Sequence, residues 1–183
     1  HIDLGILLGI ALSLVLYLYR TMRPRVAALS RHPDGTLRDA VTHGLKTCKN
    51  ITVLRFDGSL YFVSTSYFED KALQKVAEFP DLKYVVVDAA GINHIDATGE
   101  EMLLGLVQRL DETGIEVVFA NTKQQILDAL ERTGSMETIG AQRFYRTPEQ
   151  ALAYAWEKLE GDHAVDCPLR KAQLVDAVPN YSV

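Results

Sequence analysis

YVVVDAAGINHIDATGEEMLLGLVQRL, residues 84–110, decides the fold. Tyr84 to Ala89 is an almost unbroken apolar run, the pattern of a strand covered on both faces. Thr98 to Glu112 carries Met102, Leu103, Leu106, Val107 and Leu110 at helical spacing, and Gly114 follows as a stop. The spacing therefore predicts a strand, a loop and an amphipathic helix. Thr98 and Glu101 fit a capping box at the start of that helix. Asp96 lies close enough to favour the same positive helix end.

Working outward, Ile115 to Ala120 (IEVVFA) predicts a second buried strand, and Lys123 to Arg132 a helix ending before Gly134. Arg143-Phe144-Tyr145 reads as a short edge element. Pro148 to Leu159 reads as a last helix, with proline in its first turn. On the N-terminal side, Ser66 to Phe79 is helical and stopped by Pro80. Ile51 to Phe56 and Leu60 to Val63 read as two strands around the Asp57-Gly58 turn, a hairpin. Thr36 to Asp39 reads as a short first strand, and Val26 to Asp34 as a connector. Alternating strands and helices predict an α/β class, a mixed β-sheet packed with helices. The tail from Asp162 to Val183 shows no sustained periodicity, which predicts mobility or attachment to a partner.

Ahead of this body lies Ile2 to Tyr19, IDLGILLGIALSLVLYLY, in which Asp3 is the only charge. Eighteen helical residues cover about 27 Å, close to the hydrocarbon thickness of a bilayer. A signal peptide would carry its basic residues before the apolar run. Here Arg20, Arg23 and Arg25 follow it, which places that end in the cytoplasm. Gly5, Gly9 and Ser13 recur every four residues as a small-residue ridge suited to helix packing in a membrane. The resulting division is a transmembrane helix over 1–22, a linker over 23–35, an α/β domain over 36–161 and a tail over 162–183.

The 183 residues carry a net charge of −5, which argues against nucleic-acid binding. Residues 1–31 hold +3 and the remainder −8, so the collar is basic and the body acidic. Cys48 and Cys167 form no CxxC pattern, which predicts reduced thiols with no disulfide framework or zinc site. His94 and Asp96 lack a third metal ligand at a suitable spacing. Asp88 ends a strand as a receiver phosphoacceptor would, without the acidic pair and late lysine that chemistry needs. No glycine-rich phosphate loop or nucleophile elbow is present, so no enzyme is expected.

Asp96-Ala97-Thr98-Gly99 resembles the Asp-x-Ser/Thr-Gly signature of the STAS domain, shared by sulfate transporters and anti-sigma-factor antagonists. RFDGSLYFVSTSYFEDKAL (55–73) looks like the transporter version. LGILLGIALSLVLYLYRTMRP (4–24) resembles the last membrane helix and exit of the sulfate permease (SulP) family. The resemblance covers residues 4–160. It implies a cytoplasmic domain beneath an anion-transporting membrane domain at the plasma (inner) membrane. It also implies homodimer assembly, trafficking and regulation, with sulfate as the default substrate class and bicarbonate or dicarboxylates as others. In the antagonists the signature Ser/Thr is phosphorylated, and Thr98 occupies that position. Glu100 departs from the apolar residue usual there and puts two like charges, Glu100 and Glu101, near a phosphate. Nucleotide or acyl-carrier-protein binding is associated with some members. Three functions follow as expectations: a transporter's regulatory domain, a tethered phospho-switch, and a nucleotide sensor. Expected partners are the membrane domain, a second copy, a regulatory protein or nucleotide, and lipid.

Overall fold

The computed structural model describes residues 2–159 and 166–170. Helix α1 (Ile2–Thr21) is one uninterrupted helix with no buried residue, Asp3 in its first turn and Arg20 in its last. Its 20 residues reach about 30 Å, the thickness of the hydrocarbon core. Both end charges complement the helix dipole.

Four residues later the chain is already inside a sheet. Strand β1 (Arg25–Arg31) is followed by β2 (Leu37–Asp39), β3 (Ile51–Asp57) and helix α2 (Phe62–Ala77). Then come β4 (Tyr84–Asp88), a 3-10 turn (Ala89–Gly91), α3 (Ala97–Glu112) and β5 (Glu116–Ala120). Helices α4 (Gln124–Thr133) and α5 (Ser135–Ile139), strand β6 (Phe144–Tyr145) and helix α6 (Pro148–Lys158) complete the order. The strands lie in the order β2-β1-β3-β4-β5-β6. β1 runs antiparallel to both of its neighbours, while β3 through β6 are mutually parallel. The sheet is thus mixed, as the residue pattern predicts.

Side chains alternate between two layers, as a pleated strand requires. Leu54, Phe56, Val85, Val87, Val117 and Phe119 face the layer built by α2, α3, α4 and α5. Ile51, Val53, Val86, Val118 and Ala120 face α6. The Phe56 and Phe68 rings meet edge to face at 4.8 Å and join β3 to α2.

Three sequence-based expectations are corrected and one element is added. Val26 to Asp34 is no connector: Arg25–Arg31 is a strand with partners on both sides, although Val26 is the one β-branched residue in its VAALS core. The 23–35 linker therefore shrinks to the few residues around Pro24. The hairpin at Asp57-Gly58 does not form. Leu60 makes only a parallel bridge to Ile95, and helix α2 starts at Phe62. Ser135–Ile139 adds a short helix that the periodicity did not reveal. Within the tail, Cys167 and Leu169 are buried against the sheet. The rest of the tail, 162–165 and 171–183, lies outside the described residues.

Candidate functional site

The loops leaving β3, β4 and β5 converge at one end of the sheet, where open α/β sheets place their ligands. At this end Leu60 N donates to His94 O (2.9 Å) and Asp96 N donates to Leu60 O (3.1 Å). The two loops are thereby stitched together. Asp96 then caps two helices at once. Its Oδ1 accepts from the Gly99 amide at 2.8 Å, as the N-cap of α3. Its Oδ2 accepts from the Phe62 amide at 3.0 Å, satisfying a donor that the first turn of α2 leaves open. Tyr61 N is met locally by Ser64 Oγ at 3.2 Å.

Gly99 is required by close approach. A Cβ there would run into the Leu60 carbonyl oxygen and come within 2.9 Å of the Ile95 side chain. The signature glycine lets the α3 start nest against the β3–α2 loop. Thr98 differs from the expectation: the N-cap is Asp96, and Thr98 is the second residue inside the helix. The Thr98–Glu101 capping box does not form. Thr98 is exposed at the helix start, and among the described hydrogen bonds its hydroxyl makes none. Glu100 is buried, and its Oε2 accepts from the hydroxyls of Thr133 (2.5 Å) and Ser135 (2.9 Å). Its carboxylate is therefore engaged by α4 and α5, while Glu101 is exposed.

Aromatic groups that the sequence reading assigned to a strand surround this point. Tyr61 is 38% exposed and Phe62 69% exposed. The Tyr61 ring stacks on His94 with centroids 6.4 Å apart. Asn93 is held by Lys123 Nζ at 2.5 Å and by the Gln125 side chain, so the loop is also tied to the start of α4. Asp88 is occupied structurally: Oδ1 accepts from Asn121 Nδ2 (2.8 Å) and the Ala90 amide (3.2 Å). Asn121 takes a positive φ of 55° to make that bond.

The register fixes where this end of the sheet stands. Arg25 pairs with Asp57, the last residue of β3. Because β3, β4 and β5 are parallel, their C-terminal ends all lie beside the start of β1. Thr21 and Arg25 are four residues apart, at most about 14 Å of chain. The end bearing Asp96, Thr98 and Gly99 is therefore the one adjoining α1. A cleft of ≈ 930 Å³ lies at the opposite end, beside Tyr84 and Glu116. Its Arg143 is held by both carboxylate oxygens of Asp111, at 2.9 and 2.8 Å.

In α1, a Cβ on Gly5 or Gly9 would meet nothing within 4 Å, so the ridge with Ser13 packs on no described part of this chain.

Residues 44–151 match the model of the STAS domain. The chain is similar to probable sulfate transporter 4.2 of Arabidopsis thaliana, 27% identical over 79% of this chain and 23% of that protein. It is also similar to sulfate transporter 3.2 of Arabidopsis thaliana, 24% identical over 99% of this chain and 28% of that protein. The chain thus spans about a quarter of the length of the curated relatives it matches. Among solved structures, the murine Solute Carrier 26 family member A9 anion transporter in the inward-facing state shares the fold. It has a TM-score of 0.74 at 18% identity, over 84% of this chain and 26% of that one.

Proposed function

The chain belongs to the STAS domain family, and from that premise we propose that it is the membrane-exit helix and cytoplasmic regulatory and assembly domain of a sulfate-type anion transporter. The domain carries no catalytic chemistry. It acts on transport by contact with the membrane domain and with a second copy of itself. The observation that carries this reading is the joint: an unburied 20-residue apolar helix enters an interior strand of the sheet after a few residues. A domain fixed so closely to a membrane helix transmits its movement to that helix.

The relatives named as sulfate transporters support the substrate class. Arg20, Arg23 and Arg25 support a cytoplasmic domain by the positive-inside rule. The Gly5-Gly9-Ser13 ridge supports packing of α1 against other membrane helices. The anion pathway then lies in those helices, and this chain alone does not transport. Sulfate uptake into liposomes carrying only residues 1–183 should equal that of empty liposomes. Uptake above that level contradicts the reading.

A second reading rests on one observation. Thr98 is exposed on the membrane-proximal end, and Glu100, which would have repelled a phosphate, is turned toward Thr133 and Ser135. Thr98 is then a phosphoacceptor whose modification alters the contact between domain and membrane part. Mass spectrometry of the protein from its native cells tests this, since Thr98 unmodified under every growth condition contradicts it.

A further inference from the structure

Cys48 and Cys167 are the chain's two cysteines, 119 positions apart, yet they share one place in the fold. Cys48 lies in the connection before β3, and Cys167 in the turn 166–170 that returns to the sheet. They are 3% and 2% exposed and belong to the same apolar cluster. Both line a single cleft of ≈ 420 Å³ with Thr47, Lys49, Asn50, Asp166 and Pro168. The returning turn is fixed independently of sulfur. Arg31 Nε donates to Leu169 O at 2.9 Å, and Leu169 is fully buried.

The two thiols are chemically unequal. The Cys167 thiol donates to the Cys48 sulfur, and the backbone amides of Asn50, Ile51 and Lys49 also point at that sulfur. Consecutive amides converging on one atom form an anion-binding nest. These groups outweigh burial and bring the Cys48 thiol down. Cys167, as donor to Cys48 and buried, is pushed up. Among the described residues the buried Trp156 indole N–H has no hydrogen-bonded partner in the ordinary range, and it is turned toward the Cys167 sulfur.

We propose that Cys48 and Cys167 are a reversible dithiol–disulfide pair, a peroxide-responsive modification site that clamps the 166–170 turn to the sheet. Cys48 is the reacting thiolate and Cys167 the resolving thiol. The Cys48 thiolate attacks one oxygen of a hydroperoxide. The O–O bond breaks, a sulfenic acid forms, and the other oxygen leaves and takes up a proton. The Cys167 sulfur then attacks the sulfenic sulfur. The S–S bond forms, the S–O bond breaks, and water leaves with the Cys167 proton. Two electrons have passed from the pair of sulfurs to the peroxide, and a small dithiol returns them. A disulfide of this kind belongs to the transient, sensing class found in reducing compartments.

The test uses the full chain in micelles at pH 7 with one equivalent of hydrogen peroxide. Free thiols should fall from two to none. Peptide mapping should find Cys48 joined to Cys167 within one chain, and dithiothreitol should restore both thiols. Trp156, the only tryptophan, should report the same transition by fluorescence. Crosslinks between chains, or an oxidised Cys48 beside a free Cys167, overturn the proposal. In Cys167→Ser, a dione probe should trap sulfenic acid on Cys48. In Cys48→Ser, labelling of Cys167 should be about tenfold lower or less. Equal or reversed labelling overturns the assignment of roles.

Discussion

The Asp96 carboxylate reaches the Phe62 amide 34 residues upstream, at 3.0 Å, while its other oxygen caps α3 through Gly99. One side chain therefore sets where two helices begin. In this chain the aspartate of the signature is a structural clamp. The threonine beside it stays free of capping duty and faces outward.

Asp96→Ala removes both bonds and leaves two amides at helix starts without that acceptor. The loss should be about 1–3 kcal/mol, the range for a cap plus a second charge-assisted bond. Asp96→Asn retains one carbonyl oxygen and should lose about half as much. Urea unfolding of the full chain in micelles, followed by far-ultraviolet circular dichroism, measures both. Equal stability of Asp96→Ala and the parent would show that the clamp contributes nothing.

Thr98→Ala should change stability by no more than about 0.5 kcal/mol, because no described bond is lost. Phosphothreonine at position 98 should also leave the fold intact. The phosphate meets a helix N-terminus, and the Glu100 carboxylate is already bonded to Thr133 and Ser135. Thermal unfolding of the two proteins beside the parent measures this. A collapse of the fold on phosphorylation would mean that Thr98 faces inward.

Tyr154 supplies a pH test at the far end of the sheet. Burial, and then the Glu116 carboxylate that accepts its hydroxyl at 3.0 Å, push its ionisation up to about 12. Its folded pKa is raised, so the stabilising contribution is complete below pH about 10, the value for a free tyrosine. It is lost as pH rises from about 10 toward 12, because the unfolded chain ionises first. Nuclear magnetic resonance of labelled tyrosine rings should show Tyr154 titrating well above 10, toward 12. Titration of Tyr154 near 10 would remove the Glu116 bond from the account.

The parts legible in the sequence are those whose evidence is local. β4, β5, α3, α4 and α6 announce themselves through apolar runs, helical spacing, Pro148 and Gly134, and each stands within a few residues of its expected range. The failures share a non-local cause. LYFV has the composition of a strand, yet Phe62 opens a helix because its amide finds Asp96 far along the chain. The small residues of β1 become a strand through pairing with β2 and β3 on either side. The three-residue spacing of Thr98 and Glu101 imitates a capping box, but Asp96 takes the cap and draws the helix start one residue earlier. At the site itself, Asp96, Thr98 and Gly99 were visible as a motif. Tyr61 and Phe62 were hidden, because only the parallel bridge from Leu60 to Ile95 brings them there.

On the proposed reading, the Asp96–Gly99 end of the sheet faces the membrane that α1 spans. Paramagnetic relaxation tests it most directly, with the full chain in nanodiscs containing gadolinium-chelating headgroups. The amides of His94 and Thr98 lie at one end of strands, and those of Asp81 and Gly114 at the other. Five-residue strands separate these ends by about 17 Å. The account predicts strong broadening at His94 and Thr98 and much weaker broadening at Asp81 and Gly114. Equal broadening at both ends, or the reverse order, would contradict it.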